Sequence, residues 1–365
     1  MKDHSAPMRK KILFIDSPLV PAQGGGQKSL LLLMRGLPAA DYAVSVAVPE
    51  GPESDFCRDA RAAGLALHKV AVSFRAVRAL LRAQAPDLVH CNSATTRLTF
   101  LAALNARLSG TPFVWHVRVM EQAGWKDRVI AGLSGRIIAI SGAVARRFAH
   151  SPAKVRKVYN AVDTAVFAPG PGSGDLRGEL GIAAGAKVVG VIGRLVELKG
   201  HRTFLRMAGK IGEKAGRCVF LVVGAGEEAY TRELKEYSSQ LDLEDSVIFT
   251  GHREDIPALI SLCDVVAAPS DGLEAFGRVL IEAMACGKPV VAGDAGGMPE
   301  IVENDVDGFL VPCRDADAYA AAVLALLADP ARAAEMGRNG LKKARRFSVA
   351  EHVSGVEKVY AELIG

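Results

Sequence analysis

The 365-residue chain has no C-x-x-C pair among its six cysteines, which lie far apart and in several cases within apolar stretches. That spacing gives no zinc-ribbon or redox motif and no disulfide framework, so the cysteines read as reduced packing residues. There is no run of 18 apolar residues, the minimum for a membrane-spanning helix. The basic N-terminus passes directly into a short strand at residues 11–16, without the apolar core of a signal peptide, so a cytoplasmic protein is expected. Two nucleotide motifs are incomplete. Gly24-Gly25-Gly26-Gln27-Lys28-Ser29 has Gln where a Walker A loop requires Gly, and Gly224-x-Gly226 is followed by Ala229 in place of the third fingerprint glycine. Asp315-x-Asp317 opens a helix and reads as N-capping acids, so no metal site is expected. No nucleic-acid partner is expected either.

What is present fits two full domain cores: 50% apolar residues and 23% charged ones. The net charge of +5 is unevenly divided. Residues 1–165 carry 23 Lys and Arg against 11 Asp and Glu, a net of +12; the remainder carries 22 against 29, a net of −7. Two readings stand for the basic half: an anionic surface or acceptor, membrane phospholipid among them, or an Arg-rich solvated surface. Within it Arg75, Arg78 and Arg82 share one face of a helix at 74–84.

Strands alternate with helices along most of the chain. Strands are expected at 11–16, 44–48, 67–72, 88–90, 113–116 and 137–140, and again at 188–192, 218–223, 247–249, 265–268 and 290–292. This alternation predicts an α/β fold with doubly wound parallel sheets, whose ligands bind beyond the C-terminal ends of strands. His90, His116 and Ser141 fall at such ends. His116 has two readings, a donor to a ligand or a structural hydrogen-bonding residue. Gly24-Gly25-Gly26, after Pro18 and Pro21, reads as a ligand loop opening a helix near Gln27. The Pro- and Gly-rich run at 168–175 marks a linker.

In the second half, residues 265–292 read as strand, glycine-bearing loop, helix and strand, with Glu274 in the loop and Glu282 in the helix. A helix opening on a glycine loop offers free N–H groups to phosphate. The carboxylates suit hydroxyl groups, or are solvated acids near a helix start. Arg194 and Lys199, bracketed by Gly193 and Gly200, supply two cations suited to a diphosphate. Cations for diphosphate beside carboxylates for hydroxyls point to a nucleoside diphosphate sugar. A glycosidase pairing of the two acids is disfavoured, because eight residues of helix span about 12 Å and paired carboxylates need ~5–9.5 Å.

The set G-R-L-x-x-x-K-G (193–200), G-x-G-x-E (224–228), P-S-x-x-x-E-A-F-G-x-x-x-x-E-A-M-A-C-G-K-P-V-V-A (269–292), G-G-M-P-E (296–300) and D-G-F-L-V-P (307–312) resembles the retaining family-4 glycosyltransferases of the GT-B fold. The resemblance covers the second half closely and the first more loosely, with Asn160-Ala161 where the family usually has Asn-Gly. It implies two Rossmann-like domains facing a cleft: 1–168 for the acceptor, 169–345 for the nucleotide sugar, and a helix at 346–365 crossing back to the first. It implies that Arg194 and Lys199 hold the donor diphosphate. Glu274 then accepts sugar hydroxyls, with the N–H groups of Phe276 and Gly277 on the same ligand, and Glu282 binds the ribose. Gly25 and Gly26 approach the phosphate or acceptor, and His116 matches a histidine near the sugar. The expected reaction is metal-independent transfer, without a cofactor, to a glycan or lipid-linked acceptor of the bacterial envelope, the enzyme being cytoplasmic or peripheral on the inner membrane face. A nucleotide-sugar epimerase and a non-catalytic binder are the alternatives.

Overall fold

A computed structural model describes residues 9–17, 24–170, 175–212, 217–272 and 274–365. The chain divides into two compact units, one of residues 1–161 and 349–365, the other of residues 162–348. The exchange therefore falls at 161/162 and 348/349, against the expected 168/169 and 345/346. The Pro- and Gly-rich run expected as the linker begins inside the second unit, where Pro169 lies beside Gly287; its residues 171–174, like Pro18 and Pro21, are outside the described residues.

The first unit runs β1 (Lys10–Asp16), α1 (Gly25–Gly36), β2 (Tyr42–Pro49), α2 (Asp55–Ala62), β3 (Ala66–Val70), α3 (Phe74–Gln84), β4 (Leu88–Asn92), α4 (Arg97–Ser109), β5 (Phe113–Val117), α5 (Trp125–Leu133), β6 (Arg136–Ala139), α6 (Gly142–Ala145) and β7 (Val155–Lys157). The second runs α7 (Leu176–Glu179), β8 (Lys187–Ile192), α8 (His201–Gly212), β9 (Cys218–Val223), α9 (Glu228–Gln240), β10 (Val247–Gly251), α10 (Ile256–Leu262), β11 (Val265–Ala268), α11 (Arg278–Ala285), β12 (Val290–Gly293), β13 (Gly308–Val311), α12 (Ala316–Ala328) and α13 (Pro330–Ala344). The last helix, α14 (Val349–Ile364), belongs to the first unit.

Each unit holds one parallel sheet, ordered β3-β2-β1-β4-β5-β6-β7 and β10-β9-β8-β11-β12-β13. Both orders reverse once, between β1 and β4 and between β8 and β11. Those are the switch points where a doubly wound sheet opens a crevice for ligands. Strands at the centre are buried along their whole length, because helices cover both faces: every residue of β4, β5, β11 and β12 is buried. The first core gathers Phe14, Leu30, Phe56 and, from α14, Val356 and Tyr360; the second gathers Phe204, Phe220 and Tyr319.

The helix α14 lies against α1. Its Tyr360 hydroxyl meets His90 Nδ1 at 2.7 Å, and Glu362 accepts from Arg136 and Arg156 at 2.5 and 2.7 Å. Asp315 caps α12 by accepting from the Ala318 N–H at 3.0 Å, and Asp317 pairs with Lys210.

Candidate active site

At the switch point of the second unit, the loop after β8 meets the loop after β11. Gly193 to Gly200 follows β8, and Lys199 closes a short 3-10 turn there. Gly200 has φ +69°, and a Cβ on it would stand 1.9 Å from the Pro269 carbonyl oxygen. Only glycine lets the two loops touch backbone to backbone at that point. The Asp271 N–H donates to the Leu198 carbonyl at 2.9 Å, tying the loops a second time.

This contact sets Lys199 Nζ 2.5 Å from Glu274 Oε2, with the side chains 28% and 13% exposed. The other carboxylate oxygen, Oε1, accepts from the Gly277 N–H at 3.1 Å and the Phe276 N–H at 3.4 Å. Burial pushes the Glu274 carboxyl up. The Lys199 charge, the Lys199 hydrogen bond and the two N–H groups outweigh it and hold the group below its ordinary value. Glu274 is therefore a carboxylate at neutral pH. The Phe276 and Gly277 N–H groups, expected to face a ligand, both donate to Glu274 in this structure. Gly277, at φ +97°, caps α11 and turns these amides back on the carboxylate.

A second loop supports the first from behind. Gly296, at φ +62°, packs so closely that a Cβ there would stand 2.1 Å from the Glu274 carbonyl oxygen, and the Gly297 N–H donates to that same oxygen at 2.9 Å. The G-G-M-P-E motif is thus a backbone brace for Glu274.

Arg194 lies on the same β8–α8 loop and is exposed, with no ion pair among the described residues. Glu282 sits in the second turn of α11, largely buried, and accepts from Arg278 Nη2 at 2.7 Å and Nε at 3.2 Å. The sequence reading missed Arg278; its signal was the four-residue spacing that makes a helical ion pair. The structure thus brings together Lys199, Glu274, Phe276 and Gly277, adds Arg194 on the same loop, and places Glu282 along α11 on its own arginine.

The first unit repeats the arrangement at its own switch point. Asp16 at the end of β1 accepts from Asn92 at the end of β4 and from Gln27 on α1, both at 2.9 Å. Gly24 caps α1, Gly25 and Gly26 form its first turn, and a Cβ on Gly26 would lie 3.4 Å from Arg118 Cδ. Arg118 donates to Asn92 Oδ1 and Asn160 Oδ1. Burial drives the Asp16 carboxyl up to about 6, against the Asn92 and Gln27 hydrogen bonds and the Arg118 charge. Sequence reasoning did not find this polar cluster, whose members lie on five separate segments.

His116 is fully buried in β5, beside His90 and 5.8 Å between ring centroids from His352. Its Nδ1 lies 3.4 Å from Arg118 Nη2 and 3.1 Å from His90 Nε2. A guanidinium only donates, so His116 Nδ1 accepts, His90 donates from Nε2, and His90 Nδ1 accepts from Tyr360. The His116 proton then sits on Nε2, which has no partner among the described residues. Both histidines titrate well below the ordinary value, through burial first and the Arg118 charge next.

Neutral buried histidines stabilise the fold above the unfolded-state value of 6.5, and that contribution is lost as pH falls below it. Each costs about 1.4 kcal/mol per pH unit. Asp16, raised to about 6, gains a proton in the fold before it does in the unfolded chain and so opposes one histidine below pH 6. The melting temperature is expected to drop between pH 7 and pH 5. A melting temperature unchanged or higher at pH 5 would refute the neutral histidine pair.

Comparison with known proteins agrees with this geometry. A family model described as "Glycosyl transferases group 1" matches residues 173–343, and one described as "Glycosyltransferase Family 4" matches residues 23–166. An Escherichia coli UDP-Gal:alpha-D-GlcNAc-diphosphoundecaprenol alpha-1,3-galactosyltransferase is 26% identical over 97% of this chain and 98% of its own length. A D-inositol 3-phosphate glycosyltransferase of Segniliparus rotundus is 33% identical over 64% of this chain, which spans about half (52%) of that protein. The solved structure of Anabaena Alr3699/HepE in complex with UDP-glucose superposes with a TM-score of 0.85 at 27% identity, covering 97% of this chain and all of that one.

Proposed function

The chain belongs to the group 1 glycosyl transferases of glycosyltransferase family 4, and on that premise we propose that it transfers a hexose from a UDP-sugar to a hydroxyl of a lipid-linked glycan, with retention at the anomeric carbon and without a metal ion. The observation that carries this reading is the Lys199–Glu274 pair at the switch point of the second unit. Breaking a sugar–phosphate bond leaves negative charge on the diphosphate, which preorganised cations stabilise. An ammonium has three N–H donors. With one on Glu274, Lys199 keeps two for phosphate oxygens while holding the carboxylate in place for the sugar hydroxyls. Arg194 adds a bidentate donor from the same loop, and Glu282, steadied by Arg278, takes the ribose hydroxyls.

The uridine base is supported by the UDP-glucose held by the Anabaena protein and by the UDP-Gal donor in the name of the Escherichia coli relative, both matched over nearly the whole of each chain. A lipid-linked acceptor is supported by the diphosphoundecaprenol in that same name. The surplus of cations in residues 1–165 supports a peripheral contact with anionic membrane at the cytoplasmic face. Among the described residues no helix is long and apolar enough to cross a membrane. The epimerase and binder alternatives have no observation in their favour.

The test is ligand-induced stabilisation. A UDP-hexose at a hundred times its Kd is expected to stabilise the protein by about 2.7 kcal/mol, seen as a rise in melting temperature. A response to GDP-mannose alone overturns the uridine assignment, and no response to any nucleotide sugar overturns the donor site. The anomeric configuration of the product, read by NMR, decides retention.

A further inference from the structure

The outer helical layer formed by α3, α4 and α5 concentrates two properties. The helices pack side by side, α3 on α4 and α4 on α5. Their exposed or half-exposed positions carry Arg75, Arg78 and Arg82 on α3, Arg97 and Arg107 on α4, and Lys126 and Arg128 on α5. Their sole acid, Asp127, is buried and held by Arg147 and Thr95. The same layer displays large apolar side chains to solvent: Trp125 is 70% exposed, Leu108 56%, and Phe74, Phe100 and Val129 close to 40% each. Among the described residues only Val72, Val166 and Val306 are other large apolar residues so exposed, and Val72 adjoins α3. Seven cations with no exposed acid on the same three helices repel one another unless an anionic partner meets them. Aromatic and aliphatic side chains set among cations match the headgroup zone of a bilayer.

Between α3 and α4 this face opens into a cavity of about 280 Å³, lined by Arg78, Leu81, Arg82, Asn105, Ser109 and Thr111 among others, with no acid in its wall. Arg78 and Arg82 have no ion pair or hydrogen bond among the described residues. Asn105 Nδ2 donates to the carbonyls of Leu101 at 2.9 Å and Phe74 at 3.4 Å, which fixes the orientation of the amide. Its Oδ1 is then a buried acceptor with no partner among the described residues. Such a wall offers two guanidinium groups to a phosphate and one acceptor to a hydroxyl.

We propose that the α3–α4–α5 face docks on an anionic bilayer, with the α3–α4 cavity taking the phosphate and a hydroxyl of a phosphatidylglycerol-type headgroup and Trp125, Leu108 and Phe100 entering the interface. The proposal gives the membrane contact inferred above a defined surface. Its readout is vesicle binding without sugar transfer, so it and the donor assignment can fail separately.

The chain has two tryptophans, Trp115 fully buried and Trp125 exposed, so a change in emission on binding reports Trp125. Mixing the protein with phosphatidylcholine vesicles containing phosphatidylglycerol is expected to blue-shift the emission and sediment the protein, whereas pure phosphatidylcholine does neither. Arg78→Ala/Arg82→Ala is expected to weaken binding by more than the roughly thirtyfold that loss of two surface cations gives by itself. Lys126→Ala/Arg128→Ala removes the same charge outside the cavity and is expected to weaken it less. Equal losses from the two pairs overturn the headgroup cavity. Binding of free glycerol phosphate with no vesicle binding overturns the bilayer in favour of a soluble phosphate ligand. Binding to an acidic polypeptide with no blue shift on any vesicle overturns it in favour of a protein partner.

Discussion

Lys199→Ala is expected to lower kcat/KM for sugar transfer by about a hundred- to a thousandfold, the cost of removing one preorganised charge from a site where negative charge develops. Two losses combine. The diphosphate loses a cation, and Glu274 loses the partner that outweighs its burial. The second loss has a signature of its own. Lys199 holds the Glu274 carboxyl below its ordinary value, so its removal raises that carboxyl, and the carboxylate is lost at higher pH than in the wild type. The acidic limb of the rate profile therefore moves to higher pH in Lys199→Ala. Lys199→Arg restores the charge and is expected to return that limb towards its wild-type position while recovering part of the rate. A profile that keeps its acidic limb in Lys199→Ala, or a variant with wild-type turnover, would show that the pair has no part in the reaction. Glu274→Gln keeps the size of the side chain and removes its charge, and is expected to fall in the same range.

The residues of this site were legible because they lie in two short loops. Arg194 and Lys199 are five residues apart, Glu274 and Gly277 three, and both loops follow strands marked by unbroken apolar runs. Local pattern therefore reached the charge on each loop. It did not reach their use. Free N–H groups at the start of α11 suggested a phosphate cradle, but Glu274 folds back onto them, because the positive φ of Gly277 is a property of the folded loop. The Asp16, Asn92, Arg118 and Asn160 cluster was invisible for a related reason. Each is a single polar residue in its own segment, and only the pairing of β1 with β4 joins the first two. The helix α13 carries Gly337 and Gly340 within it. They are where the helix meets its neighbours: a Cβ on Gly337 would stand 2.2 Å from the Gly287 carbonyl oxygen. His116 had two readings in the sequence, and the structure buries it among His90, His352 and Arg118, partners that no local pattern joins to it.

Gly296→Ala is expected to be as damaging to transfer as loss of a charge, although Gly296 has no side chain to offer. The position needs glycine for two reasons that can be separated. Its φ of +62° disfavours any side chain by roughly 1–2 kcal/mol. Its Cβ would also stand 2.1 Å from the Glu274 carbonyl oxygen, a separation that no real contact reaches. Relief requires the backbone of the Glu274 loop to move away by about 1 Å, and a displacement of that size in a catalytic array costs on the order of a hundredfold in rate. Gly272, in the same loop at φ +88°, supplies the control. Its Cβ would meet only Ala295 Cβ, at an ordinary 3.6 Å. Both alanine variants carry the left-handed backbone penalty, and only one carries the collision. Both are therefore expected to melt earlier than the wild type. Gly272→Ala should keep its rate within several-fold, and Gly296→Ala should lose about a hundredfold in kcat/KM at a temperature where it is fully folded. Equal rates for the two would mean that Glu274 tolerates displacement, and that the G-G-M-P-E brace serves stability alone.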